Sequence, residues 1–316
     1  MNPPLVAVVG PTASGKSSLA HALALRCPQW AGKEAEVISV DAYALYRGMD
    51  IGTAKPTEEE RQQVRYHQID QLDIADTASV ACYQRQARAD VEAIYSRGHW
   101  PIAVGGSGLY VRALLDEMNF PGSDPHVRVE IEQWHKENGD AALYDRLRQL
   151  DPLAAQRLHP HNVRRVVRAL EVIEITGKPF TASLPQPRFV RPTIMLGVRR
   201  QIEDLDARIA KRTEEMFASG WVEETRRLQE AGLEQMVTAA RAVGYPEVLS
   251  YLRGEITLEQ AKEQVALATR QLARRQVKWF RRDSRIHWID ATGKEPEAVF
   301  AQAVEAITSS SAGLNS

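Results

Sequence analysis

The feature that most constrains this 316-residue sequence is the segment Gly10-Pro-Thr-Ala-Ser-Gly-Lys-Ser17, which matches the pattern G-x-x-x-x-G-K-S/T at every defined position. An apolar run, residues 5–9, precedes it, and a helical pattern, residues 17–26, follows it. A strand, a glycine-rich turn and a helix in this order direct backbone N–H groups at an anion. We therefore predict a phosphate cradle built from Gly10, Pro11, Thr12, Ala13, Ser14, Gly15, Lys16 and Ser17.

Two side chains of this cradle carry specific chemistry. Lys16 adds a positive charge for the phosphates, and the hydroxyl of Ser17 is placed to bind Mg²⁺. A P-loop that hydrolyses ATP usually also needs an aspartate at the end of a buried strand, and Val37-Ile-Ser-Val-Asp41 supplies one. The cradle alone therefore allows an ATP-dependent kinase or NTPase.

The first third of the chain alternates strand and helix patterns. Residues 36–40 and 101–104 read as further buried strands, and residues 80–97 as an amphipathic helix. This alternation predicts an α/β fold, a P-loop NTPase-like parallel sheet flanked by helices. Ligands of such sheets bind beyond the carboxyl ends of the strands. The residues at three of these ends are Gly10, Asp41 and Gly105.

From about Asn119 the pattern becomes mostly helical, with amphipathic stretches at 127–137, 140–149 and 163–176, and strands return at 194–198 and 286–289. We expect residues 122–191 to form a helical insertion domain. The remaining expected parts are the P-loop α/β core with its C-terminal helices, residues 1–121 and 192–308, and a disordered tail, residues 309–316.

Composition narrows the class of protein. The two cysteines, Cys27 and Cys82, form no Cys-x-x-Cys pair, so neither a disulfide framework nor a zinc site is implied, and a cytoplasmic protein is expected. The apolar run at residues 5–9 is too short for a signal peptide or a transmembrane helix, so we expect no membrane partner.

Positive charge is concentrated in two islands although the net charge is only −1. Residues 152–170 and 270–282 hold several arginines each and no acidic residue. Such islands suit local contact with a polyanion, and they are equally compatible with solvated helix faces.

The cradle together with Asp41-Ala-Tyr-Ala-Leu-Tyr-Arg-Gly-Met-Asp-Ile-Gly-Thr-Ala-Lys-Pro56 closely resembles the tRNA dimethylallyltransferases, also called isopentenyl-adenosine tRNA synthases. Ordinary P-loop kinases have nothing like the string at residues 47–56. The similarity is collinear from about Val6 to Trp288. Four further segments that resemble the same family are residues 67–70, 104–110, 165–171 and 242–245.

The resemblance implies a reaction and its partners. The bound diphosphate belongs to dimethylallyl diphosphate, and the acceptor is the exocyclic amine of the adenosine 3′-adjacent to the anticodon in tRNA. The expected partners are the anticodon stem-loop of tRNA and the prenyl diphosphate, with Mg²⁺ as cofactor and a monomeric enzyme. No Asp-Asp-x-x-Asp motif is present, so the chain is not of the Asp-rich prenyltransferase type.

The resemblance also assigns catalytic candidates. Asp41 is the candidate base that accepts a proton from the amine, and the alternative is a role as Mg²⁺ ligand. Lys16 and Arg212, which matches the family's diphosphate-binding arginine, would stabilise the charge on the departing diphosphate. Ser107 occupies the position of a family hydroxyl, usually Thr, near the acceptor base, and it could also cap a helix.

The acceptor base must leave its stack to reach a buried aspartate. Positions that match the family's tRNA contacts are Asp41, Ala42, Tyr43, Ala44, Ser107, Arg128, Arg164, Arg165, Val166, Val167, Arg168, Arg241, Ala242, Val243, Gly244 and Tyr245. Arg164 and Arg168 share a helix face with no nearby acid, so we predict that both contact phosphates.

The sequence departs from the family at two positions after Asp41. Many relatives carry Ser at position 42 and often Gln at position 44, where this chain has Ala42 and Ala44. The alanines leave only backbone contacts with the base at these positions. Within the same chemistry, an adenylate (AMP or ADP) isopentenyltransferase is the alternative, and the basic insertion argues against it because a mononucleotide needs no such arm.

Overall fold

The computed structural model describes residues 2–122, 124–180 and 186–314 of the chain. They divide into two compact units, Met1–Leu115 with Phe189–Ser316, and Asp116–Arg188. The second unit covers most of the insertion expected at residues 122–191, and both of its boundaries lie several residues closer to the N-terminus.

The first unit is built on one sheet. Its strands within the described residues are β1 (Leu5–Val9), β2 (Ala35–Ser39), β3 (Tyr66–His67), β4 (Trp100–Gly105), β5 (Thr193–Arg199) and β6 (Ile286–Asp290). They pair in the order β3-β2-β4-β1-β5-β6, and every pairing is parallel. The predicted α/β fold is therefore confirmed. The strand not predicted is β3, which is only two residues long.

Helices make up most of the remaining chain. In chain order they are α1 (Lys16–Leu25), α2 (Cys27–Ala31), α3 (Glu58–Gln63), α4 (Val80–Ser96), α5 (Gly108–Leu115), α6 (Pro125–Leu150), α7 (Pro152–Arg157), α8 (Val163–Thr176), α9 (Ile202–Ala218), α10 (Trp221–Glu230), α11 (Tyr245–Leu252), α12 (Leu258–Phe280) and α13 (Pro296–Leu314). None of these described helices is both long and apolar enough to cross a membrane.

Successive side chains of a strand point to opposite faces of the sheet, so they pack against different helices. Val6 and Val8 of β1 belong to a core with α1 and α13, whereas Leu5, Ala7 and Val9 belong to a core with α4 and α5. All five residues of β1 are buried. A strand that is buried on both faces reads as a continuous apolar run, which is why β1 could be recognised from the sequence.

Side-chain caps fix several helix starts. Thr57 and Glu60 form a capping box at α3, and Thr257 and Gln260 form another at α12. Asn162 accepts a hydrogen bond from an N–H of the first turn of α8. Each cap satisfies a backbone donor that has no partner within its own helix.

The second unit consists of α6, α7 and α8 around a small apolar core. The buried members of this core include Ile131, Leu147, Val166 and Leu170. The two helices predicted at 127–137 and 140–149 are the halves of α6, which leaves helical geometry at Gly139 (φ 80°, ψ 174°).

The expected disordered tail is wrong for residues 309–314, which continue helix α13. Ile307 is fully buried, so the helix is still packed on the core two residues before the predicted tail. The hydroxyl groups of Thr308 and Ser311 are satisfied within the helix, because they donate to the carbonyls of Val304 and Ile307 at 2.9 and 2.8 Å. Residues 315–316 lie outside the described residues.

A buried carboxylate joins the edge of the sheet to α4. Glu36 of β2 accepts hydrogen bonds from His67 Nε2 at 2.6 Å, Arg97 Nε at 2.7 Å and His99 Nδ1 at 2.8 Å. Burial alone would raise the pKa of Glu36, but these donors hold it at about 2. His67 Nδ1 also lies 3.4 Å from Asp90 of α4. Burial lowers the pKa of His67, and the two carboxylates outweigh it, so the net shift is upward.

We predict that His67 makes folding stability pH-dependent. Its folded-state pKa lies above the ordinary value of 6.5, so its contribution is complete below pH 6.5 and is lost as the pH rises through the folded value. The free-energy difference between wild type and His67→Gln, from urea unfolding, should therefore be larger at pH 6 than at pH 9. Exposed His287→Gln is the control. An equal pH dependence for both variants would contradict the prediction.

Candidate active site

Three neighbouring strands bring the predicted motifs to one rim. Strands β2, β4 and β1 are adjacent and parallel, so the segments after their carboxyl ends meet. They border a cavity of about 510 Å³. The predicted site residues that line this cavity are Thr12, Lys16, Ser17, Asp41, Tyr43, Ala44, Arg212, Arg241, Ala242 and Val243. The structure therefore gathers residues that are spread over most of the sequence.

The phosphate cradle lies between β1 and α1. Helix α1 begins at Lys16, so the N–H groups of its first turn have no acceptor within the helix and remain available to an anion. Two arginines support the cradle from outside. Arg208 Nε donates to the carbonyl of Ala13 at 3.0 Å, and Arg200 Nε donates to the carbonyl of Ser14 at 2.8 Å.

Helix α9 contributes a cationic wall beside the cradle. Arg208, Lys211 and Arg212 line a second cavity of about 250 Å³ together with Lys16 and Ser17. The sequence predicted only Arg212 of these α9 residues. The signal for Arg208 was present, since it precedes Arg212 by four positions and therefore lies on the same helix face.

Lys16, Arg212 and Asp41 interact electrostatically within the cavity. Burial, followed by the charge of Arg212, lowers the pKa of Lys16 to about 8, and Asp41 opposes the shift. Burial also lowers the pKa of Arg212, opposed by Asp41 and then Glu215. The two neighbouring cations in this sheltered site favour an anionic ligand, because binding that ligand relieves the repulsion between them.

Asp41 is oriented by its own backbone. Its Oδ1 accepts a hydrogen bond from the N–H of Tyr43 at 2.8 Å, which forms a tight turn directly after β2. The hydroxyl of Tyr43 donates to the carbonyl of Arg241 at 3.3 Å and so links this turn to the opposite wall. The carboxylate of Asp41 and the hydroxyl of Ser17 line the same cavity, so the oxygen donors that suit Mg²⁺ lie near the cradle.

The string at residues 47–56 surrounds a buried carboxylate from α10. Glu224 is 2% exposed, and its Oε2 accepts the N–H groups of Asp50 and Ile51 at 2.9 and 2.8 Å. Its Oε1 accepts the N–H of Gly52 at 3.2 Å and the hydroxyl of Tyr245 at 2.7 Å. Three successive N–H groups therefore converge on one carboxylate, which fixes the loop to α10 and α11.

The close packing of this loop explains its glycine. A Cβ on Gly52 would lie 2.4 Å from Nε1 of Trp221, so no larger residue fits. Lys55, whose side chain is 1% exposed, donates to the carbonyl of Tyr46 and to the carboxylates of Asp50 and Asp70. The string resembling the family is thus a structural support for the cavity wall that residues 52–56 provide.

Ala42 and Ser107, which were predicted to lie near the acceptor base, are not among the residues that line the cavity. Ala42 packs on the core beneath the sheet. Ser107 lies two residues beyond the cavity-lining Gly105, and its carbonyl accepts the N–H of Val111 at 2.9 Å as α5 begins. Ser107 therefore lies in the loop beside the site, at the start of α5.

Several predicted RNA contacts need correction. Val166 and Val167 are buried in the core of the second unit, and Tyr245 is buried against Glu224, so these side chains cannot reach RNA. Gly244 packs against Trp221 in the same way.

The premise that no acid lies near Arg168 is wrong. It pairs with buried Glu171 at 2.9 Å and donates to the carbonyl of Pro121 at 2.8 Å. The acid was present in the sequence at i, i+3, a spacing that brings side chains together on a helix. In the same unit, Arg128 lies 3.3 Å from Glu132, whereas Arg164 and Arg165 are exposed.

A parallel α/β sheet with this cradle at the end of β1 defines a P-loop fold, and here the cradle borders the cavity of about 510 Å³. The sequence model of one family, described as IPP transferase, matches residues 44–283. This chain belongs to that family.

Relatives with curated names support the assignment over nearly the whole length. The tRNA dimethylallyltransferase of Thermobifida fusca is 53% identical over 285 residues, covering 90% of this chain and 89% of the relative. The protein of the same name from Kineococcus radiotolerans is 49% identical over 312 residues, covering 98% of both.

Solved structures share the fold. The tRNA isopentenylpyrophosphate transferase of Bacillus halodurans is 36% identical and covers 99% of both chains, with a TM-score of 0.69. A eukaryotic dimethylallyltransferase captured acting on tRNA is 25% identical, with a TM-score of 0.79 over 92% of this chain and 75% of that chain.

The buried carboxylate generates a prediction about stability. Glu224→Ala leaves three backbone N–H groups and one hydroxyl without an acceptor. At roughly 1–3 kcal/mol for each unsatisfied buried group, we expect a loss of at least about 3 kcal/mol in the free energy of unfolding in urea. Exposed Glu223→Ala, on the same helix, should change it by no more than about 0.5 kcal/mol. Equal losses would contradict the role of Glu224.

Proposed function

We propose that this chain transfers a dimethylallyl group from dimethylallyl diphosphate to the exocyclic amine of the adenosine 3′-adjacent to the anticodon in tRNA, with release of diphosphate. The observation that carries the proposal is a single cavity lined by the cradle residue Lys16, the arginine Arg212 and the carboxylate Asp41. The names of the relatives agree with this reaction.

The chemistry requires charge to be stabilised at one end and a proton to be accepted at the other. As the bond between the allylic carbon and the diphosphate oxygen breaks, negative charge grows on that oxygen. Lys16, Arg212 and the N–H groups of the cradle stabilise it. The amine nitrogen bonds to the allylic carbon, and Asp41 accepts the proton that the nitrogen loses.

A magnesium ion fits the oxygen donors near the cradle. Ser17 would hold it, and Asp41 lines the same cavity as a second candidate ligand. Bound there, Mg²⁺ would neutralise part of the charge on the diphosphate. We therefore include Mg²⁺ as the cofactor in the assays below.

The second unit is proposed to contact the RNA. Arg164 and Arg165 stand exposed at the start of α8, whose first turn contains no acidic residue. Guanidinium groups in this setting bind phosphates and stack on unpaired bases. Exposed Arg241, on the rim of the cavity, is the corresponding candidate in the first unit.

One assay separates the hypotheses. The purified protein is incubated with Mg²⁺ and either dimethylallyl diphosphate plus an anticodon stem-loop, dimethylallyl diphosphate plus AMP, or ATP alone. Prenylation of the stem-loop only is the expected result. Prenylation of AMP would favour the adenylate transferase, and ATP hydrolysis without prenyl transfer would favour the kinase or NTPase.

Asp41→Asn tests the proposed base. The amide keeps the size of the side chain but cannot accept a proton, so we expect kcat to fall by ~10²–10⁴ while both substrates still bind. Exposed Asp73→Asn is the control and should keep wild-type activity. Normal turnover by Asp41→Asn would place the base elsewhere, whereas a specific loss of Mg²⁺ affinity would assign Asp41 as a metal ligand.

Arg164→Ala combined with Arg165→Ala tests the RNA-binding surface. Each lost phosphate contact should reduce the log–log salt dependence of stem-loop affinity by roughly 0.7–0.9, and dimethylallyl diphosphate affinity should stay the same. Arg148→Ala in α6 is the control, because Arg148 pairs with Asp145 at 3.0 Å. An unchanged slope for the double variant would move the RNA contacts away from α8.

A further inference from the structure

A glutamine side chain connects the two loops that would hold the two substrates. Gln276 lies in α12, and its Oε1 accepts a hydrogen bond from the N–H of Thr12 in the cradle at 2.8 Å. Its Nε2 donates to the carbonyl of Gly106, in the loop that follows β4, at 3.1 Å. One planar amide therefore bridges the ends of two adjacent strands, and it lines the main cavity as well.

The fit around this amide is tight. A Cβ on Gly106 would lie 2.5 Å from Nε2 of Gln276 and 3.1 Å from the carbonyl oxygen of Gly10. The loop after β4 and the cradle therefore lie close to each other, and the amide of Gln276 occupies the space beside Gly106. A side chain at position 106 would therefore displace the amide of Gln276 from its place between the two loops.

The cradle is held at Thr12 from two sides. The N–H of Thr12 points to Gln276 and is thus not available to a phosphate, whereas its hydroxyl accepts a hydrogen bond from Arg212 at 3.3 Å. Gln276 therefore contacts the backbone of Thr12, and Arg212 contacts the side chain of Thr12.

Helix α12 is itself anchored next to Gln276. Arg274 Nη2 donates to both carboxylate oxygens of Asp206 in α9, at 2.9 and 2.7 Å. Ala273 is fully buried with Leu205 and Ile209 of α9, and Ala13 of the cradle packs against this cluster. Because the helix cannot shift easily, the amide of Gln276 keeps a fixed position.

We propose that Gln276 is a positioning residue, which sets the distance between the diphosphate in the cradle and the acceptor amine beside the loop at residues 105–108. This inference rests on the proposed function. Transfer requires the reacting atoms to approach within ~3–3.5 Å, and a misplacement of about 1 Å can cost ~10²-fold in rate. Both loops keep their own contacts without the bridge, so its loss affects geometry more than affinity.

The bridge needs one acceptor and one donor on the same group. Gln276→Met preserves length and approximate volume and removes both hydrogen bonds. Exposed Gln271→Met places the same change on the same helix away from the bridge and is the matched control. We expect kcat of Gln276→Met to fall ~10–10²-fold, with the Kd for dimethylallyl diphosphate, measured without RNA, changed less than about threefold.

A second variant, Gln276→Glu, tests the bridge independently if Gln276→Met disturbs folding. Gln276→Glu offers two acceptors when ionised, and it regains one donor when protonated, so it then resembles the amide. The ratio of its kcat to that of wild type should therefore rise as the pH falls from 8 to 5. A purely structural role would leave this ratio independent of pH.

The outcomes distinguish this inference from the proposed function. If wild type and Gln271→Met do not prenylate the stem-loop, the proposed function itself fails. If both prenylate it and Gln276→Met has the same kcat, only the positioning role is overturned. A loss in Gln276→Met that is explained entirely by weaker diphosphate binding would also overturn it, and so would a pH-independent ratio for Gln276→Glu.

Discussion

The side-by-side parallel pairing of β2, β4 and β1 is the constraint on which the site depends. In a parallel sheet all carboxyl ends lie at the same edge, so the cradle after β1, Asp41 after β2 and Gly105 at the end of β4 must face one space. Burial of both faces of β1 holds the register, because a slip of one residue would exchange the side chains that pack on opposite cores. This register therefore determines where the cavity lies.

The C-terminal helices provide the second half of the site. Helix α9 supplies Arg208 and Arg212, α10 supplies Glu224, and α12 supplies Gln276, and each contacts a loop at the rim. Arg212, Glu224 and Gln276 are buried or half-buried, so their hydrogen bonds are strong and the cost of losing one partner is high. The lowered pKa of Lys16 has the same origin, since burial and the neighbouring Arg212 disfavour a second positive charge. A bound diphosphate would favour the charged form of Lys16 and so raise its pKa again.

The arginines of α8 differ in their surroundings. Arg168 is neutralised by Glu171 and binds a backbone carbonyl, whereas Arg164 and Arg165 remain exposed. The sequence presents the three arginines as one basic island. Burial of Glu171 is the physical reason for the difference, because a buried carboxylate requires a cation within reach.

The sequence by itself determined the sheet, the cradle and the family. These conclusions rest on local patterns. An apolar run before a glycine-rich turn predicts a strand, a loop and a helix whatever the distant residues are. It did not reveal Glu224 or Gln276 as site supports, because an isolated glutamate or glutamine in an amphipathic helix reads as a solvated residue. It also did not reveal that Val166 and Tyr245, which it assigned to RNA contact, have buried side chains. Only the tertiary structure decided these points, because hydrogen bonds between segments far apart in the chain leave no periodic signal in the sequence.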